Sequence, residues 1–184
     1  MLLCGVDEAG RGPIAGPVTA AAVILPEDFP TGVLADSKAL SPRQREKAAR
    51  LIRQRALALA TGWVKPEEID RLNIHRATLL AMARALGRLD LRPDLILVDG
   101  RFTPPVDLPC LAVVRGDSAV PAIMAASIIA KTVRDRWMCL YARREPRYGF
   151  EEHKGYPTAA HRQKVRQFGL TPIHRRSFRI LPPG

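Results

Sequence analysis

Residues 2 to 13, Leu2-Leu3-Cys4-Gly5-Val6-Asp7-Glu8-Ala9-Gly10-Arg11-Gly12-Pro13, constrain the fold more than any other stretch. A short apolar run, readable as a buried strand, ends on two adjacent carboxylates and breaks into a glycine-spaced loop with one arginine. Carboxylates at the edge of a core are costly unless something pairs with them. Where several gather with no Lys or Arg among them, a divalent cation is the usual partner. Gly10 and Gly12 let the backbone approach a ligand and aim N–H groups at an anion. A carboxylate pair beside an amide-lined loop points to metal-assisted chemistry on a phosphate. An acidic hairpin turn is the plainer reading of the same residues.

The chain's 184 residues are enough to bury a real core in one domain. Its longest apolar runs, Val18–Leu25 and Ile123–Ala130, are too short to span a bilayer. Asp7 and Glu8 interrupt the opening, so it does not read as a secretory leader. Cysteines at 4, 110 and 139 form no CxxC pair and are odd in number, which fits a reducing cytoplasm. The formal charge of +11 favours polyanions, nucleic acid before membrane. Most of that charge is arginine, the better bidentate grip on phosphate.

Pro17–Leu25 reads as a second strand, forming a hairpin with the first. Ser41-Pro42 is an N-cap followed by proline, opening a helix expected to run to about Leu59. Its Ala49, Ile52 and Ala56 face inward; Arg43, Lys47, Arg50 and Arg53 face outward, most simply as a solvated face. A short strand is expected over Ala60–Val64, and Asn73 caps a helix with Ile74, Ala77, Ala81 and Ala85 inward. Leu95–Val98 and Cys110–Val114 are further strands. Pro121 starts the most hydrophobic helix, Ala122 to about Ala142, whose Ala125, Ala126, Ser127 and Ala130 allow close packing on a sheet. From Glu145 the character changes, with His153-Lys154-Gly155-Tyr156, a helix from Thr158 to Phe168 and a basic run at His174-Arg175-Arg176. The pattern predicts an α/β layer fold, a central mixed β-sheet flanked by helices.

Three strand-like runs end in acid: Val6-Asp7-Glu8, Val98-Asp99 and Val113 to Asp117. Strand ends of one sheet can converge, and four carboxylates there could hold two divalent ions for in-line phosphate displacement. Other chemistries lack their residues. There is no GxxxxGK[ST] loop, no dinucleotide fingerprint, no GxSxG and no HExxH. His153, His161 and His174 have no paired cysteines to make a zinc site, and Cys4 sits in a buried-looking strand.

Read together, Asp7-Glu8-Ala9-Gly10-Arg11-Gly12-Pro13 with Gly16-Pro17 resembles the signature of bacterial ribonuclease HII. So do Asp36-Ser37-Lys38, Leu97-Val98-Asp99-Gly100, Gly116-Asp117, Ala126-Ser127-Ile128 with Ala130-Lys131, and Arg134-Asp135-Arg136. His153-Lys154-Gly155-Tyr156 and His174-Arg175-Arg176-Ser177-Phe178 complete the series, in the family's order from residue 4 to 178. The resemblance implies a ribonuclease H-like fold over residues 1–184 as one catalytic domain, with about 145–184 a helical C-terminal extension packed on it. It implies metal-dependent endonucleolytic cleavage of RNA paired to DNA, including a single ribonucleotide in duplex DNA, on its 5′ side, leaving 3′-hydroxyl and 5′-phosphate ends. Asp7, Glu8, Asp99 and Asp117 take the catalytic metal positions, for Mn²⁺ or Mg²⁺, with two ions when substrate is bound. Gly10, Arg11 and Gly12 would read the 2′-hydroxyl at the junction, and Tyr156 would stack on the following sugar. Ser37, Lys38, Lys154, Arg175 and Arg176 would support the phosphate backbone. The expected partner is RNA–DNA hybrid or ribonucleotide-containing duplex, met by a cytoplasmic monomer.

One departure is visible: Ala119 stands where relatives often place Lys or Arg. Two other readings compete. Ribonuclease HIII typically replaces the loop arginine and adds an N-terminal domain, whereas Arg11 is present and Asp7 lies near the start. A basic nucleic-acid-binding module that has lost catalysis would not need all four acids.

Overall fold

The structure, a computed structural model, describes residues 1–34 and 40–181. Five strands form one mixed sheet: β1 (Leu3–Ala9), β2 (Val18–Ile24), β3 (Ala58–Val64), β4 (Leu95–Asp99) and β5 (Cys110–Val113), in spatial order β3-β2-β1-β4-β5. The hairpin expected from the opening is present, with Val6 opposite Ala22 and Asp7 opposite Ala21 in antiparallel register. β1 also pairs in parallel with β4, Val6 beside Val98, which makes it the central strand.

All seven residues of β2 are buried, as a strand covered on both faces requires. Val18, Ala20, Ala22 and Ile24 meet α3 (Ile74–Leu86), while Ala21 and Val23 meet α1 (Pro42–Arg55) and α4 (Pro121–Ala142). The small residues of α4 let it lie directly on β1. A Cβ on Gly5 would fall 2.0 Å from the Ala122 carbonyl carbon. That contact aims the middle of α4 at the end of β1, where the two acids stand.

The caps read from sequence are made. The Ser41 hydroxyl accepts from Gln44 N–H and the Gln44 side chain accepts from Ser41 N–H, closing a capping box. Asn73 accepts from Arg76 N–H at the start of α3, and Thr158 caps α6 (Ala159–Phe168). α1 stops at Arg55, short of Leu59. Leu57 N–H is taken by the Ile24 carbonyl, and the apolar residues after it join the sheet as β3.

Between α1 and α3 lies α2 (Pro66–Leu72), and α5 (Phe150–His153) precedes α6. The last residues double back over the loop after β1. Ala15 forms an antiparallel bridge with His174, and Arg175 N–H donates to the Ile14 carbonyl. Asp70 on α2 pins the same tail, accepting from Arg176 N–H, Ser177 N–H and the Ser177 hydroxyl.

Candidate active site

Parallel pairing of β1 and β4 places Asp7 and Asp99 side by side where the two strands leave the sheet. Asp117 is not on a strand end as the sequence suggested. It sits in a 3₁₀ turn, Gly116–Ser118, entered through Arg115 in the left-handed region (φ 57°). The turn brings Asp117 N–H to the Asp99 carboxylate at 3.3 Å. One carboxylate oxygen from each of Asp7, Asp99 and Asp117 lies within 4.8 Å of the others.

Asp7 and Asp117 are only 6% and 5% exposed. Burial, then the charges of Glu8 and Asp99, pushes the Asp7 carboxyl well above the usual carboxylate range, against hydrogen bonds from Ser127 and Glu8 N–H. Burial also raises Glu8, opposed by Arg11. Glu8 stands at the rim, paired with Arg11 at 3.3 Å. A buried carboxyl raised by burial and by neighbouring carboxylates, as Asp7 is, is what a bound divalent cation relieves, and an all-oxygen donor set suits a hard ion. The residues fit such an ion.

Beside the acids opens a cleft of about 410 Å³, bounded by Glu8, Arg11, Gly12, Ser127, Lys131 and Tyr156. Tyr156 is 42% exposed, and a Cβ on Gly12 would lie 3.5 Å from its ring. Lys131 stands 5.8 Å from the ring centroid and pairs with Asp135 at 2.8 Å. Arg45 lines both this cleft and an adjoining groove that holds Lys154 and Arg136. The Lys154 ammonium bonds the Glu151 carbonyl. Ser37 and Lys38 lie outside the described residues.

Arg175 is a correction. The basic run suggested a phosphate contact, yet Arg175 has no exposed surface. Its guanidinium donates to the carbonyls of Gly10 at 2.6 Å, Arg11 at 3.1 Å and Gly16 at 2.9 Å, and lies 5.0 Å from the Phe178 ring. Arg134, equally buried, donates to Pro17, Lys154 and Ala15. Burial lowers the two to about 9 and about 10, so both stay charged near neutrality. Gly10, at φ +95°, leaves room for this: a Cβ there would sit 2.1 Å from Arg134 Nε.

Arg176 is exposed beside Asp70 whereas Arg175 is buried, so of this adjacent pair only Arg176 can release counterions from a duplex. Arg176→Ala should flatten the slope of log K against log salt by up to about 0.9, and Arg175 should add nothing as a phosphate contact. Titrations of a labelled duplex at several salt concentrations measure it; a loss near two when Arg175 and Arg176 are neutralised together would return Arg175 to the surface.

Ser127, Lys131 and Arg134 were not given roles from sequence. The signal was there, since a hydroxyl, an ammonium and a guanidinium at i, i+4 and i+7 mark one polar stripe on an apolar helix. Arg45, one turn inside the Ser41 cap, carried no such signal among its exposed neighbours.

The histidines that lack a zinc pattern form a buried chain of hydrogen bonds. His161 Nδ1 meets the Tyr156 carbonyl at 2.9 Å and must carry the proton, so its Nε2 accepts from His174 Nε2–H at 3.1 Å. His174 Nδ1 accepts from Thr171 N–H at 2.9 Å. His153 likewise donates to the Tyr148 carbonyl and accepts from Gly155 N–H. Every ring is neutral in this arrangement, and an added proton would set donor against donor. Burial holds His161 and His174 at about 4, below the unfolded value of 6.5. Their contribution is therefore complete above about pH 6.5 and is lost as pH falls toward 4, by up to about 1.4 kcal/mol per pH unit for each ring. Urea midpoints should drop between about pH 7 and pH 5. Equal midpoints would contradict the neutral assignment.

Against known proteins, the sequence model of the family described as Ribonuclease HII matches residues 4–181. The chain belongs to the ribonuclease HII family. It is 54% identical over 177 residues to the Ribonuclease HII of Dechloromonas aromatica (strain RCB), covering 96% of this chain and 90% of that protein. Identity is 57% over 178 residues with the Ribonuclease HII of Laribacter hongkongensis (strain HLHK9), at the same coverage. Among solved structures, the ribonuclease H2 from Pyrococcus horikoshii OT3 superposes with a TM-score of 0.83 at 29% identity, covering 98% of this chain and 95% of that one. The sheet is thus a ribonuclease H-type sheet and the chain a nuclease, a hydrolase of phosphodiesters.

Proposed function

We propose that this endoribonuclease of RNA–DNA hybrids also cuts duplex DNA at a single embedded ribonucleotide, on its 5′ side, leaving 3′-hydroxyl and 5′-phosphate ends. The observation that carries the reading is a buried Asp7, Asp99 and Asp117 cluster at the foot of a cleft walled by a glycine loop and an exposed tyrosine. Asp7, Glu8, Asp99 and Asp117 would hold Mg²⁺ or Mn²⁺, two ions with substrate. Such ions supply a nucleophilic water at neutral pH and neutralise charge on the phosphate.

The chain's own residues do the selecting. Backbone groups of Gly10, Arg11 and Gly12 meet the 2′-hydroxyl, which is both donor and acceptor and is what distinguishes RNA from DNA at one position. The Tyr156 ring lies over the next sugar. Ser127 holds the Asp7 carboxylate, and Arg11 holds Glu8 at the rim. Lys154 and Arg176, together with Ser37 and Lys38, follow the phosphates, and Lys131 and Arg45 add to them from α4 and α1. We read the chain as one catalytic domain, monomeric and cytoplasmic, with residues from about 145 as its extension. Among the described residues no helix is long and apolar enough to cross a membrane.

End chemistry tests the reaction. The 2′-hydroxyl can attack only the phosphate on its own 3′ side, so a 5′-side cut must be hydrolysis by water. An end-labelled duplex with one ribonucleotide should give a product ending one nucleotide before the ribose, with a 3′-hydroxyl that a polymerase extends. A 2′,3′-cyclic phosphate would contradict it.

A further inference from the structure

The Gly10–Gly12 loop has a cation beneath it, and that cation dictates which way its peptide planes face. In a planar trans peptide the carbonyl of one residue and the N–H of the next point in opposite directions. Arg175 draws the Gly10 and Arg11 carbonyls inward, toward a guanidinium without exposed surface. The N–H groups of Arg11 and Gly12 are therefore turned the other way, toward the cleft that both residues line. Among the described residues no backbone carbonyl accepts from either N–H.

We propose that Arg175 is a positioning residue for ribose selection: it orients two consecutive peptide planes so that the Arg11 and Gly12 N–H groups meet the 2′-hydroxyl. The inference rests on the reading of the loop given above. Only arginine can do this from one position. Its planar fork reaches three carbonyls at fixed angles, whereas a lysine ammonium is a single centre. The fork is itself held. The Phe178 ring packs on it, Arg175 N–H bonds the Ile14 carbonyl, and Asp70 clamps the two residues that follow. Arg134 secures the flanks through Ala15, Pro17 and Lys154, leaving the reading peptides to Arg175.

The test is a ratio of dissociation constants for two duplexes that differ by one 2′-hydroxyl, measured by anisotropy in EDTA for wild type and Arg175→Lys. Wild type should prefer the ribonucleotide duplex by about threefold to tenfold, the worth of one or two hydrogen bonds. Arg175→Lys should bring that ratio to about one, with affinity for the all-DNA duplex changed less than about twofold. A lower folded fraction would weaken both constants equally and leave the ratio untouched, so a merely structural role cannot imitate the result. An unchanged ratio in Arg175→Lys overturns the inference and leaves the ribose-reading loop standing. A wild-type ratio of one overturns both. Should Arg175→Lys not fold, Phe178→Leu keeps the arginine and removes the ring against it. Its ratio should fall by about half, and a wild-type ratio there overturns the inference.

Discussion

Asp7→Asn should abolish cleavage while leaving the sheet and duplex binding in place. The substitution preserves size and one hydrogen-bonding oxygen, so Glu8 N–H and Ser127 keep a partner. It removes one charge from the three-carboxylate cluster proposed to hold the cation. The rate should fall at least about a hundredfold, the loss that follows removal of one group stabilising a transition state. Apo stability should move the other way, because a buried anion facing Asp99 and Glu8 is replaced by a neutral amide. Single-turnover cleavage at saturating metal and a urea titration without metal check the two halves. Near-normal turnover would remove Asp7 from the site.

Tyr156→Ala should cost more on a single embedded ribonucleotide than on a long hybrid. A ribonucleotide followed by DNA presents a deoxyribose to the ring, whereas a hybrid presents a hydroxylated sugar that cannot approach as closely. The ring is free to act in this way, since it is exposed, abuts Gly12 and faces the cleft. Its backbone is not free, because the Tyr156 carbonyl accepts from His161 and its N–H donates to the His153 carbonyl. On the single-ribonucleotide duplex the loss should be about 5- to 100-fold, the range for contacts to an aromatic platform. The loss on the hybrid should be several times smaller. Equal fractional losses on the two substrates, assayed side by side, would mean that Tyr156 does not read the junction.

Where the determinants are local, the residues themselves announce the structure. A continuous apolar run rich in β-branched residues marks β2, and a cap followed by proline marks α1. The small face of α4 foretells its contact with β1, and the acids of β1 and β4 converge because parallel neighbours end together. Asp117 reaches the cluster by another route, a turn that depends on the left-handed Arg115, a conformation that sequence gives little reason to expect from arginine. Arg175 and Arg176 show the limit most clearly. As neighbours in a basic run they look alike, but the tail crosses the loop with one side down and one side up, so one is buried and the other exposed. The histidine chain was hidden for the same reason. Its members come from α5, α6 and the tail, and meet only after the tail has folded back.

The most direct test is incubation of the wild-type protein with a duplex carrying one ribonucleotide, in parallel with an all-DNA duplex, in EDTA, Mg²⁺ and Mn²⁺. The expected result is no cleavage in EDTA, a single cut on the 5′ side of the ribonucleotide with either ion, and an intact all-DNA duplex throughout. Cleavage in EDTA, or cutting of the all-DNA duplex at a comparable rate, would contradict it.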